Sequence, residues 1–315
     1  MGEIIEIEHV SWNVSDLERS KRFYQDLLGF EVLDYLQGGG PWVDELCGTK
    51  DTFHQQYRMY APKGPALTPK GPKFTLDILY WKNPPARVRR PKVSDFPQVH
   101  VAMGVKDLDT TYERLKAKGG QFVSPPVHWT EEEGGWVTNF MIDPDGFLVE
   151  LLQTGDDSKV KGEVITCEHI ATTVGNLDRS REFYIDILGM YEVGYVEHHP
   201  GSVDIMCNEK GMEIREYRMR APKGPGPAGK ENGFTLDLIE WVKPRGAHRP
   251  PAMNEIPAGH FCFGVKDVWA SYERLKAKGV KFVSPPVAFP KEEGGWKPVS
   301  FHDPDGLMCE LTEIG

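Results

Sequence analysis

Residues 112–119 read YERLKAKG, and residues 272–279 repeat the same eight letters 160 positions later. The same offset holds on either side. GVKD stands at 104–107 and 264–267, FVSPPV at 122–127 and 282–287, and DPDG at 143–146 and 303–306. Further out, APKGP occurs at 61–65 and 221–225, FTLD at 74–77 and 234–237, and EEGGW at 132–136 and 292–296. One offset from end to end means that a single design is written twice. The polar stretch 154–162 divides the copies, so domains are expected at 1–155 and 163–315.

Each copy divides again. Residues 6–14 alternate as a strand, with Ile7, His9, Ser11 and Asn13 on one face. Ser15 or Asp16 then caps a helix carrying Leu17, Phe23, Tyr24, Leu27 and Leu28, and Gly29 ends it in the left-handed conformation. Strands are expected at 30–36, 55–61 and 74–81. Residues 98–105 restart the cycle, with a helix over 108–118 stopped by Gly119 and a last strand at 147–152 after the DPDG turn. The order is βαβββ twice per copy, giving modules near 1–85, 97–155, 163–244 and 257–315. Proline-rich segments 82–97 and 242–257 join them. The class is α+β.

Composition narrows the function. The chain is 39% apolar and 27% charged, which suits a folded protein with a core. Its formal charge of -10 and lack of a dense basic cluster argue against nucleic acid, whose phosphates need Lys and Arg. No apolar run reaches the ~20 residues that span a bilayer, and the N-terminus does not read as a signal peptide. The five cysteines are odd in number and form no CxxC pair, as expected of a reduced cytosolic protein.

The first strand of each module carries an inward histidine: His9, His100, His169 and His260. The last strand of each copy holds Glu150 or Glu310 within an apolar run, and Asp77 and Asp237 sit inside TLDIL and TLDLI. A carboxylate amid hydrophobic residues is costly unless it is paired or bound to a metal. Two imidazoles and a carboxylate from separate strands suit a divalent cation with open positions.

The stretches EHVSWNVSDLERSKRFYQDLLGFEV, EHIATTVGNLDRSREFYIDILGMYEV, VHVAMGVKDLDTTYERLKAKGGQFVSPPV and DPDGFLVELL resemble those of the vicinal oxygen chelate superfamily. That group includes glyoxalase I, epimerases, bleomycin- and fosfomycin-resistance proteins and extradiol dioxygenases. The resemblance covers nearly the whole chain. It implies two tandem domains whose βαβββ modules form cup-shaped mixed sheets with helices outside. It also implies the ligand set His9, His100 and Glu150 in the first half, and His169, His260 and Glu310 in the second. Asp77 and Asp237 match a fourth ligand position, either binding directly or supporting the ligands from behind. The shared chemistry is chelation of two neighbouring substrate oxygens by the metal.

Four modules in one chain point first to an Fe(II)-dependent extradiol-type dioxygenase, with O2 and a phenolic or catechol-like substrate. Mn(II), Ni(II), Co(II) and Zn(II) are the other candidate ions. His198 and His199 stand where the first half has glycines, and His302 where it has Ile142, so these three are candidate acids or bases near a second-half site. Against ring cleavage, Phe140 and Ser300 occupy the place of the extradiol tyrosine. Two other readings therefore stand beside it. One is a glyoxalase-type lyase, isomerase or epimerase in which Glu310 relays a proton. The other is a non-catalytic small-molecule binder of the resistance type. Homo-oligomerisation is left open.

Among the remaining residues, Trp42, Trp81, Trp129, Trp136, Trp241 and Trp296 read as packing before pocket lining. Arg58 and Arg218 read as exposed strand arginines before carboxylate ligands, and Cys262, two residues after His260, as a structural thiol. Loops 61–73 and 221–233 are candidate lids, with simple mobile connections the plainer reading.

Overall fold

The structure is a computed structural model that describes residues 4–63, 74–154, 163–222, 234–291 and 294–314. The first module has strands β1 (Glu6–Asn13), β2 (Glu31–Gly39), β3 (Phe53–Tyr60) and β4 (Thr75–Asn83), with helices α1 (Leu17–Arg22) and α2 (Pro41–Cys47). A two-residue strand β5 (Arg87–Val88) follows. The second module comprises β6 (Val99–Val105), α3 (Leu108–Ala117), β7 (Gln121–Phe122), β8 (Val127–His128), β9 (Val137–Ile142) and β10 (Leu148–Gln153). The third has β11 (Val164–Thr173), α4 (Leu177–Glu182), β12 (Tyr191–His198), α5 (Ser202–Met206), β13 (Glu213–Arg220) and β14 (Thr235–Lys243). After β15 (Glu255–Ile256), the fourth contains β16 (Gly259–Val265), α6 (Val268–Ala277), β17 (Lys281–Phe282), β18 (Val299–His302) and β19 (Met308–Glu313).

The expected strands form within three residues of their predicted ends. Asp16 supplies the α1 cap, accepting from the Arg19 backbone N–H at 2.9 Å, while Ser15 Oγ donates to Asp145. The helix does not stay α as predicted. After Arg22 it widens into a π turn at Phe23–Leu27, with the Leu28 N–H bonding back to Phe23 O. The wider turn buries Tyr24 and Leu28 together. Gly29 then takes φ 91°, a conformation a side chain would strain.

Two mixed sheets result, as the α+β reading requires. One runs β17-β18-β19-β16-β1-β4-β3-β2, and the other β12-β13-β14-β11-β6-β10-β9-β7 with β8 on β9. Their central joints are antiparallel, β1 on β16 and β11 on β6. Each sheet therefore combines one module from each half, the first with the fourth and the second with the third. Every module leaves its first strand as an open edge, and an open edge must be paired or covered.

The halves are tied internally by their backs. On β1, His9 and Ser11 face one side while Val10 and Trp12 are buried on the other. Trp12 stacks on Phe147 of the second module (centroids 4.8 Å apart) and leans on Tyr24 at 5.6 Å. The Tyr24 hydroxyl donates to Asp143 of the DPDG turn at 3.0 Å, and Tyr184 makes the equivalent bond to Asp303. One apolar core thus lies between the two sheets. Trp12→Ala is expected to lower the unfolding free energy by about 3–5 kcal/mol. An unchanged midpoint in a guanidinium titration would contradict this packing.

No helix among the described residues is long and apolar enough to cross a membrane. The suggested lids fall largely on 64–73 and 223–233, outside the described residues.

Candidate metal centres in two cups

The concave face of each sheet presents a repeated four-residue constellation. In the second cup, His169 on β11 lies opposite Ala102 on β6, which in turn pairs with Glu150 on β10. One step along, His100 faces Ala171, and Ala171 pairs with Asp237 on β14. The ligand candidates thus alternate with alanines around one point. Glu150 Oε2 lies 3.2 Å from His169 Nε2 and 3.5 Å from His100 Nε2, and Asp237 Oδ2 lies 3.7 Å from His169 Nδ1.

In the first cup the rows are Glu310–Cys262–His9–Thr75 and Met308–His260–Ser11–Asp77. His9 Nε2 is 3.3 Å from His260 Nε2, and Ser11 Oγ is 2.9 Å from His260 Nδ1. Glu310 Oε1 accepts from Cys262 Sγ at 3.5 Å.

This grouping corrects the expected ligand sets. His100 and Glu150 meet His169, and His260 and Glu310 meet His9, so each constellation spans both halves. Alternation along a strand shows which face a histidine occupies but not which neighbour the strand acquires.

Burial and charge oppose each other here. Burial alone would raise the Glu150 carboxyl, but the two imidazoles overcome it and hold the group low. Burial likewise works against charging His169 and His9, yet nearby carboxylates, Asp237 and Asp77 foremost, bring each up to about 9. His260 is pushed down to about 3, by burial and then by the charge of His9. Burial raises Asp237, Asp77 and Glu310. Asp237 Oδ1, Asp77 Oδ1 and His100 Nε2 are buried without a hydrogen-bond partner, although Glu150 approaches His100 at 3.5 Å. Orphaned polar atoms are rare in protein interiors, and three of those among the described residues belong to the two constellations, Asp77 in the first cup and His100 and Asp237 in the second. A nitrogen and oxygen donor set of this kind fits a divalent cation.

The three expected acid–base histidines do not gather. His198 lines the second cup, with Nε2 3.8 Å from Glu216 Oε2 and its ring beside Trp129. The His199 side chain is 74% exposed, 4.0 Å from Glu197. His302 lies on the other sheet, opposite Lys281 and Met308, and lines neither cup among the described residues. Closeness in sequence and shared membership of the second half misled, because the second-half modules belong to different cups.

The cavities hold more than was expected. Trp129, Trp136 and Trp241 line the second, of about 110 Å³, and Trp81 and Trp296 line the first, of about 530 Å³. Arg218 lies over the Trp136 ring at 4.3 Å and donates to Glu216 at 2.7 Å. Arg58 lies over Trp296 and binds Asp34 with both arms. Glu216 was missed, although it shares a strand face with Arg218. His54 was missed too, and burial lowers it to about 4.

The sequence profile of the Glyoxalase/Bleomycin resistance protein/Dioxygenase superfamily matches residues 6–151 and 166–311. A lactoylglutathione lyase of Arabidopsis thaliana is 24% identical over 312 residues, covering 97% of this chain and 90% of its own. A Synechocystis protein named "Probable lactoylglutathione lyase" is 40% identical over 149 residues, 46% of this chain and 93% of its own. The crystal structure of glyoxalase I from Zea mays superposes with a TM-score of 0.65 at 22% identity, covering 98% of this chain and 92% of that one. These names overturn the dioxygenase reading, and iron, O2 and aromatic catabolism lose their support with it. Four modules in one chain are equally the architecture of the lyases. With the matched profile spanning both halves, the chain belongs to the Glyoxalase/Bleomycin resistance protein/Dioxygenase superfamily, a membership that together with the His100, Glu150 and His169 cluster implies a divalent metal.

Proposed function

We propose that this protein is a metal-dependent lyase of the glyoxalase I kind. It would isomerise the adduct of glutathione and a 2-oxoaldehyde to a lactoyl-type thioester. The observation carrying this reading is the convergence of His100, His169 and Glu150 in the second cup, matched in the first by a cavity that His9, His260, Glu310 and Asp77 line together. The names of the relatives supply the substrate class.

The isomerisation moves one hydrogen between neighbouring carbons, so it consumes no oxidant. His100, His169, Glu150 and Asp237 would hold one ion, and His9, His260, Glu310 and Asp77 the other, with Ni(II) or Zn(II) the favoured occupants. The bound ion supplies a positive charge where oxygen charge develops. Glu150 and Glu310 face the substrate space and carry the proton from the sulfur-bearing carbon to its neighbour. The tryptophans exclude water, and Arg218 and Arg58, at the cavity walls, suit the carboxylates of a glutathione conjugate. The five cysteines are free, which fits a reducing compartment such as the cytosol.

The test is thioester formation from methylglyoxal and glutathione, followed by ultraviolet absorbance after loading with Ni(II), Zn(II), Co(II) or Mn(II). Product without oxygen uptake is expected. No product with any of the four ions would end this reading.

A further inference from the structure

The two cups are not equivalent. Position for position, the residue between the first-strand histidine and the glutamate is Ala102 in the second cup and Cys262 in the first. Beside the other histidine stands Ala171 in one and Ser11 in the other. The second cup therefore has methyl groups where the first has sulfur and oxygen.

The sulfur is close to the other donors. Ligand atoms of Glu8, His9 and Cys262 all lie within 4.8 Å of one another, and Glu310 Oε1 is 3.5 Å from Cys262 Sγ. Glu8 reaches this side because β1 slips register against β16 between Ile7 and His9. Such a bulge lets neighbouring residues share a face. Asp77, 2% exposed, lines the same cavity with Oδ1 unpartnered.

We propose that the first cup is a sulfur-containing cation site, in which Cys262 Sγ and the Glu8 carboxylate join His9 and Glu310 around a thiophilic divalent ion, taking the places given above to His260 and Asp77. One chain thus carries two ions with different donor sets, nitrogen and oxygen in the second cup, and nitrogen, oxygen and sulfur in the first. Soft thiolate ligands favour zinc and similar ions over harder ones. The inference rests on the metal-centre reading above.

The experiment uses the full-length chain, stripped by a chelator and reloaded with Co(II). A near-ultraviolet sulfur-to-cobalt charge-transfer band is expected. Cys262→Ala should abolish it, and it should lower Cd(II) affinity of that cup by about 10- to 100-fold. Alanine is what the second cup holds at this place, and Cys262→Ser serves as a second, similarly small variant. Ala102→Cys should add a second band. Two bound Co(II) ions without a band would overturn the inference while leaving the proposed function standing. A band that survives Cys262→Ala would also overturn it, since Cys47 and Cys207 line the two cups and would then be its source. Failure to bind any ion would overturn both.

Discussion

Glu150→Gln is expected to remove one of the two divalent ions proposed for each chain, leaving the other in place. The amide keeps the carboxylate's volume but loses its charge. It faces His169 Nε2 at 3.2 Å and His100 Nε2 at 3.5 Å in a buried pocket, where no other charge compensates as directly. The first cup draws its ligands from β1, β4, β16 and β19, so its ion is untouched. Pairs of substitutions read the grouping itself. Glu150→Gln with His9→Ala should leave no ion, because the two residues belong to different cups. Glu150→Gln with His169→Ala should still leave one. Metal analysis after gel filtration counts the ions, and the opposite pattern would show that the ligands group by half.

Cutting the chain within 155–162, at an inserted protease site, is expected to leave one particle of full mass. The halves are joined by two antiparallel ladders at the centres of both sheets, β1 with β16 and β6 with β11. Val10, Trp12, Val101, Met103, Ile170, Phe261 and Phe263 on these strands are buried to 1% exposure or less. Separation would expose them together with two rows of unpaired main-chain groups, at roughly 25 cal/mol per Å² for the apolar part alone. Gel filtration should show a single peak that divides only in denaturant. Two half-mass peaks in native buffer would refute the joined sheets.

Much of this organisation could be read from letters. The 160-residue offset exposed the modules, and His9, His100, His169, His260, Glu150, Glu310, Asp77 and Asp237 stood out as polar residues on apolar strands. Partner choice could not be read, because all four first strands end as open edges with similar alternation. The π turn at Phe23–Leu27 was hidden because its apolar spacing also suits an α-helix. His198, His199 and His302 were grouped by position in the chain, whereas only His198 reaches a cavity. The reaction was misjudged because module number is shared by enzymes that do different chemistry. Cys262 was visible and correctly placed on the face of His260, but its neighbours Glu8, His9 and Glu310 became known only from the register.

A protein built from two identical copies of one half would carry every mutation into both of its pockets at once. Here the copies are joined end to end, and the crossed sheets give each pocket its own private set of codons. A change at position 102 or 262 alters one pocket and spares its twin. The fused chain can keep one pocket for an old task while the other drifts toward a new one.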